Sequence, residues 1–364
     1  MTTDFVSLVY VGTYTAKGSA GIYVYRLDAL SGALEMAAPP ATARNPSFLA
    51  VAPSKQHLYA VAEVDEFEGH PGGGVYAFAI NHQSGELTML NRQPTHGRAP
   101  CHLCVDASGR YLLVANYTSG TVTLLPIQAD GSLGAALQIV RHQGSGPNAR
   151  RQEGPHAHSV TIDPSNRFAF VCDLGIDKVM AYRLDLDNGR LLPHSPPWTE
   201  TNPGAGPRHL AFHPSFKFAY VVNELDSTVT TYVYNQSAGI LTAVHTVATL
   251  PEHFQAANTC ADVHVLPNGR FLYASNRGHD SIAIFAIDPS TGTLTPRGHV
   301  SSGGKTPRNF AIDPTGTYLL AANQDSDNVV VFRIDGETGW LAPTGHEIAV
   351  SMPVCVKMLT WSVG

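Results

Sequence analysis

The chain of 364 residues contains no apolar run near the roughly 20 residues that a membrane-crossing helix requires, so no membrane span is expected. Its beginning, MTTDFVSLVYVG, lacks a basic segment followed by a long apolar stretch and a small-residue cleavage site, so no secretory leader is expected. Charge is scarce as well, at 14% Asp, Glu, Lys and Arg, with a formal total of −6. That balance gives no reason to expect nucleic acid, and any anion site must be a local cluster. The five cysteines are odd in number and follow no framework spacing, so a reducing cytoplasm is the expected setting. Cys101-His102-Leu103-Cys104 has the CxxC form, but it opens a strand-like run in which residues three apart face opposite ways. A structural role is therefore expected for these cysteines, rather than redox or zinc chemistry. Helical signals are nearly absent; the nearest to one is the short stretch 252–259.

What remains is apolar and rich in turns. Hydrophobic content is 43%, enough for a large core, and the 33 glycines and 25 prolines are dispersed. The glycines punctuate a repeat. LSGAL, QSGEL, ADGSL, DNGRL, SAGIL, STGTL and ETGWL carry Gly32, Gly85, Gly131, Gly189, Gly239, Gly292 and Gly339, with a mean spacing of about 51 residues. A four-stranded propeller blade has nearly this period. Upstream of the last six lies a tight turn between two apolar runs: APSK, DASG, DPSN, HPSF, LPNG and DPTG. A third strand, such as GVYAFAI or VVVFRI, then leads into the glycine turn.

The first copy lacks its opening strand, and Pro353-Val354-Cys355-Val356-Lys357-Met358 supplies the missing piece. The chain is thus expected to be all-β. It would form a single seven-bladed β-propeller over 1–364, its ring closed by the C-terminal strand completing the N-terminal blade. Two loops interrupt the repeat, DEFEGHPGGG at 65–74 and HQGSGPNARRQEG at 142–154.

Aligning the copies on the second residue of the tight turn brings polar residues together. Six places before it stand Ser47, Cys101, His158, Arg208, Ala261 and Arg308. Ten places after it stand Glu63, Tyr117, Leu174, Glu224, Arg277 and Gln324, with Tyr14 equivalent in the first blade. The first strand of a blade lies beside the axis, and its partner is antiparallel, so all thirteen should ring one mouth of the channel. Three arginines, two glutamates and a histidine are costly to bury there unless they meet a ligand or one another. The arginines point to an anionic ligand, a carboxylate or a phosphate. They would repel a cation, so no metal and no cofactor are expected. No GxSxG elbow is present, and Ser159 should diverge from His158 along a strand. Acid–base chemistry on an anion remains: Glu224 or His158 to handle a proton, and Arg208 and Arg277 to stabilise a developing oxyanion.

Several neighbours have blander readings. His156 shares the face of His158 if the strand has begun, and otherwise caps the loop. His209 should pack between blades. Asp262 and His264 should bond neighbouring blades. Arg150 and Arg151 lie on the same face as the mouth, where a phosphate contact is the alternative, but a solvated loop is the expected place for them. Asn116, Asn223, Asn276 and Asn323 recur one place before the second ring position and should bond the backbone.

The runs YVGTYT, GPHAHSVTIDP, GPRHLAFHP, YVVNEL, ASNRG and KTPRNFAIDP resemble the seven-bladed propeller lactonases along essentially the whole chain. That family includes bacterial propeller-type 6-phosphogluconolactonase and fungal 3-carboxy-cis,cis-muconate lactonizing enzyme. The resemblance implies His158, Arg208, Glu224 and Arg277 as catalytic residues; the ring positions Arg308, Glu63, Tyr14 and Gln324, with His156 beside His158, are expected about the substrate. The expected activity is hydrolysis of a small anionic sugar lactone, 6-phospho-D-glucono-1,5-lactone first. Lactonisation of a carboxylated muconate and a non-catalytic propeller that binds a protein partner are the alternatives.

Overall fold

The computed structural model describes residues 5–362. It contains seven four-stranded antiparallel sheets and one two-stranded hairpin. The inner strands are Leu49–Val51, Pro100–Val105, Ala157–Ile162, Pro207–Phe212, Thr259–Val265, Pro307–Ile312 and Pro353–Ser362. Each touches the next, and the last touches the first, so the propeller is closed. Closure joins the two ends of the chain. Pro353–Ser362 pairs antiparallel with Phe5–Thr13, setting Val9 opposite Met358 and Val11 opposite Val356. The first blade is therefore built from both ends, as its missing strand predicts.

The second strand of each blade is sandwiched between its neighbours. FAFVCD, FAYVVN and YLLAAN are buried at every residue, which is why these runs are continuously apolar rather than alternating. The glycine turns have a packing reason too. The Gly292 carbonyl accepts the Tyr220 hydroxyl of the preceding blade at 3.0 Å. Its φ is +73°, and a Cβ there would come within 2.5 Å of the Phe218 ring. Gly339 repeats the arrangement against Tyr273 and Phe271. Each turn thus docks on the blade before it, where only glycine combines the left-handed backbone with room for the aromatic ring.

Two loops differ from a plain repeat. The 65–74 insertion folds as the hairpin Glu66–Phe67 with His70–Pro71, and Phe67 is tucked against the Tyr76 ring. The stretch 252–258 is turn and coil rather than helix, and Thr259 already opens an inner strand. The helical turn among the described residues is a 3-10 segment, Leu174–Ile176, capped by the Asp173 carboxylate.

Candidate active site

A shared backbone device aims the site residues. The inner strands open with a register shift between Pro100 and His102, Ala157 and Ser159, Pro207 and His209, Cys260 and Val263, and Pro307 and Asn309. The residues left unpaired include Cys101, His158, Arg208, Ala261 and Arg308. A β-bulge turns its extra side chain out of the ordinary alternation, here toward the axis. The closing strand does the same at Val354, opposite the shift between Gly12 and Thr13. That position has no tight turn downstream, so the alignment passes over it. The second set of ring residues is fixed by the same ladder: the Glu224 amide donates to the Gly206 carbonyl at 2.7 Å and the Tyr117 amide to that of Ala99 at 2.9 Å.

The mouth encloses a cavity of about 380 Å³ centred on Glu224. One oxygen of that carboxylate, Oε2, lies 3.0 Å from Arg208 Nε and 2.9 Å from Arg277 Nη2. The other, Oε1, accepts from Arg151 Nη2 at 2.6 Å. His158 Nε2 stands 3.9 Å from Oε2, too far for a hydrogen bond. Across the cavity, Tyr14 donates to Glu63 at 3.0 Å, and Ser47 bonds the same carboxylate. Arg308 lies over the Tyr14 ring, its guanidinium carbon 5.4 Å from the centroid. Among the described residues Arg308 makes no hydrogen bond and no ion pair. Arg151, Arg277 and Arg308 line the cavity with Glu224 and Glu63, and Arg208 reaches Glu224 from the narrower space beneath, so the cluster as a whole sets four guanidinium groups against two carboxyl groups, a formal surplus of two positive charges. Beneath them the channel narrows to a space of about 10 Å³ between His158, His209, Asn309 and Val354. The opposite opening, about 360 Å³, is lined mostly by apolar residues such as Val51, Val105 and Ile162.

Burial and charge set the protonation states. Burial works to raise the Glu224 carboxyl, but Arg277, Arg208 and Arg151 outweigh it and hold the group at about 2. His158 is pushed well below the usual imidazole range, first by burial and then by Arg208, His209, Arg308 and Arg277. Burial and then the Arg277 charge bring Arg208 down to about 10, so it stays protonated at neutral pH. The site at rest holds an ionised Glu224 and a neutral His158.

His158, Glu224, Arg277, Arg308 and Glu63 line the mouth, with Tyr14 behind Glu63 and Arg308; Arg208 lines the narrower space beneath and reaches the mouth through Glu224. His156 and Gln324 stand outside the lining. His156 stacks on Tyr117 at 4.5 Å and bonds Glu153, so it supports Tyr117. Gln324 donates to Asp325 at 3.0 Å. Cys101 sits at the mouth and Cys104 at the opposite opening. All five cysteines are unpaired thiols. Burial pushes Cys104 up to about 12 and Cys101 higher still. Asn223 bonds Thr228 and Thr230, and Asn323 bonds the Ser302 carbonyl, structural work as expected.

Two expectations need correction. Arg150 is exposed, but Arg151 folds back onto Glu224 and the Tyr117 hydroxyl. Its loop is anchored by the fully buried Gln152, which bonds the Leu174 carbonyl and Asp177 at 2.8 and 2.7 Å. A loop has no repeat to align; only the spare acceptor capacity of Glu224 could have signalled a third arginine. His209 does not pack between blades either. The bulge at Arg208 brings this next residue to the channel as well, where it bonds Asp262 at 2.7 Å. Asp262 does bond both neighbouring blades, through His209 and Asn309.

Known proteins share this fold. The family model for seven-bladed β-propeller lactonases matches residues 8–358. A 6-phosphogluconolactonase of Bacillus subtilis is 41% identical over 355 residues, covering 96% of this chain and 97% of that protein. A crystal structure from Bacteroides fragilis superposes with a TM-score of 0.92 at 37% identity, covering 99% of both chains. The periplasmic gluconolactonase of Pseudomonas aeruginosa superposes equally well, at 0.92 and 34% identity, covering 98% of this chain and 99% of that one.

Proposed function

Because the chain belongs to the seven-bladed β-propeller lactonase family, we propose that it hydrolyses a phosphorylated sugar lactone, 6-phospho-D-glucono-1,5-lactone, to 6-phosphogluconate. The observation that carries the phosphate is the surplus of two positive charges in the cluster of Arg151, Arg208, Arg277 and Arg308 with Glu224 and Glu63, where Arg308 is unengaged. A phosphate dianion matches that surplus, and arginine is suited to bind it. With the phosphate on Arg308, the lactone ring reaches Arg208 and Arg277.

His158 is the general base in this reading. Glu224, at about 2 and held by three arginines, is a weak proton acceptor and serves to orient them. His158 takes a proton from water as its oxygen attacks C1. Arg208 and Arg277 stabilise the oxyanion that forms. The bond from C1 to the ring oxygen then breaks, and the imidazolium returns the proton to that oxygen. His158 is a poor base while it is buried and Arg208, Arg308 and Arg277 surround it. The bound dianion offsets their charge and raises its affinity for a proton. The phosphorylated substrate and the five unpaired cysteines fit a cytoplasmic enzyme.

A second reading, an unphosphorylated gluconolactone, is favoured by the similarity to the Pseudomonas aeruginosa enzyme. Acid release from freshly prepared lactones separates the two. The expected result is a kcat/KM at least about tenfold higher for the phosphorylated lactone, from about 1.4 kcal/mol of extra binding at Arg308. A folded protein with no rate above spontaneous hydrolysis on either lactone would remove the proposal.

A further inference from the structure

The chemistry proposed above uses Arg208 but leaves the buried groups behind it without a role. Arg208 donates through Nε to Glu224 and through Nη1 to the Ala261 carbonyl. The same Nη1 lies 3.2 Å from His209 Nε2. A guanidinium has no lone pair to offer, so this contact is a hydrogen bond only if Nε2 is bare. The other ring nitrogen, Nδ1, faces Asp262 Oδ1 at 2.7 Å and carries the proton. Asp262 is 3% exposed and saturated on every side. It also takes Asn309 Nδ2, the Val263 amide at 3.0 Å and His264 Nε2 at 2.9 Å. The network spans three blades, and its aspartate is fixed by all of them.

We propose that His209 and Asp262 are positioning residues for the lactonase reaction: Asp262 fixes His209 as its Nδ1–H tautomer, and the bare Nε2 holds Arg208 in the orientation that stabilises the oxyanion. The inference rests on Arg208 acting on the substrate as read above. Its consequence is specific to the tautomer. If His209 carried its proton on Nε2, it would place one N–H against another and turn Arg208 away. Burial makes such a mismatch costly, since neither group can turn to water. The adjacency of Arg208 and His209 on one face exists because Arg208 occupies a bulge; in a regular strand the two would diverge.

Asp262→Asn tests this with little change of volume. The amide can donate to His209 Nδ1 and so favours the wrong tautomer. Two measurements are made: 15N NMR of the imidazoles without substrate, with the His209 signals assigned by their absence in His209→Gln, and steady-state lactone hydrolysis. The expected result is an Nδ1–H signature in the native protein, its loss in Asp262→Asn, and a kcat lower by about 10- to 100-fold with KM within about threefold. A tautomer that switches while kcat stays within about twofold overturns the proposal. So does native His209 protonated on Nε2. Should Asp262→Asn fail to fold, His209→Gln against His209→Leu decides. The Gln oxygen can replace Nε2 as acceptor and should keep at least about ten times the kcat of the Leu variant; equal losses refute the role. If the native protein hydrolyses no lactone, the function reading fails, and the native tautomer still decides whether His209 holds Arg208.

Discussion

Replacing Arg308 with methionine isolates the group on which substrate selection depends. Arg308 makes no ion pair among the described residues, and it stands in the field of Arg208 and Arg277. Two unit charges about 4 Å apart interact by about 4 kcal/mol at an effective dielectric of 20. Desolvation of both partners reduces the gain, and a charge-assisted hydrogen bond is worth about 1.5–3 kcal/mol net. KM for the phosphorylated lactone should therefore rise about 10- to 100-fold. Unphosphorylated gluconolactone does not use the contact and should keep its kcat/KM within about threefold. Stability should fall as well. Burial opposes the Arg308 charge, but Tyr14, Glu63 and Glu224 outweigh it and hold the group above its ordinary value, so the variant loses that attraction together with a cation–π contact of about 0.5–1 kcal/mol, and the urea midpoint should drop. Acid release in weak buffer, with both lactones and both proteins at equal concentration, reads the kinetics. An equal loss on the two substrates would refute phosphate recognition by Arg308. A KM change under about twofold would do the same.

Other perturbations probe the rest of the cluster. Glu224→Gln leaves three guanidinium groups without their anion and should cost about 3–5 kcal/mol, seen as a lower urea midpoint at pH 7. The folded Glu224 lies at about 2 against an ordinary 4.5, so its contribution is complete above about pH 4.5 and is lost as pH falls toward 2. Acid titration of stability should be steeper in the native protein than in Glu224→Gln. His158 is held below its ordinary 6.5 by burial and the arginines, so kcat/KM should stay level as pH falls through 6.5. The acid limb of kcat should lie at higher pH than that of kcat/KM, because bound phosphate offsets the arginine charge; a kcat/KM limb at or above 6.5 speaks against His158 as the base. Gly292→Ala, with φ at +73° and Phe218 within 2.5 Å of the new methyl, should lower stability by about 1–3 kcal/mol in urea denaturation while leaving KM unchanged.

How far the sequence reaches depends on what each residue owes to the repeat. The blades are legible because every glycine turn docks on the preceding blade under the same steric demand, as Gly292 does on Phe218. Ring closure is legible because an unpaired strand at one end matches a surplus strand at the other. The mouth is legible because Arg208 and Glu224 hold equivalent places in the repeat as His158 and Arg277 do. The bulge itself is not. Nothing in Pro207-Arg208-His209 signals that two consecutive side chains reach the channel, so His209 reads as packing. Arg151 is legible only in part: its face can be read, but its contact with Glu224 cannot, because its loop follows no period and is held by Gln152 through contacts distant in the chain. The segment 252–258 is too short to hold a helix on its own and stays in turns and coil before the strand that opens at Thr259.

The account stands most directly on where a phosphorylated ligand lies. A crystal structure with bound 6-phosphogluconate should place the phosphate on Arg308, C1 between Arg208 and Arg277, and His158 Nε2 within about 3 Å of a C1 carboxylate oxygen. A phosphate seated at the opposite opening beside Lys357, or a C1 turned away from His158, would contradict it.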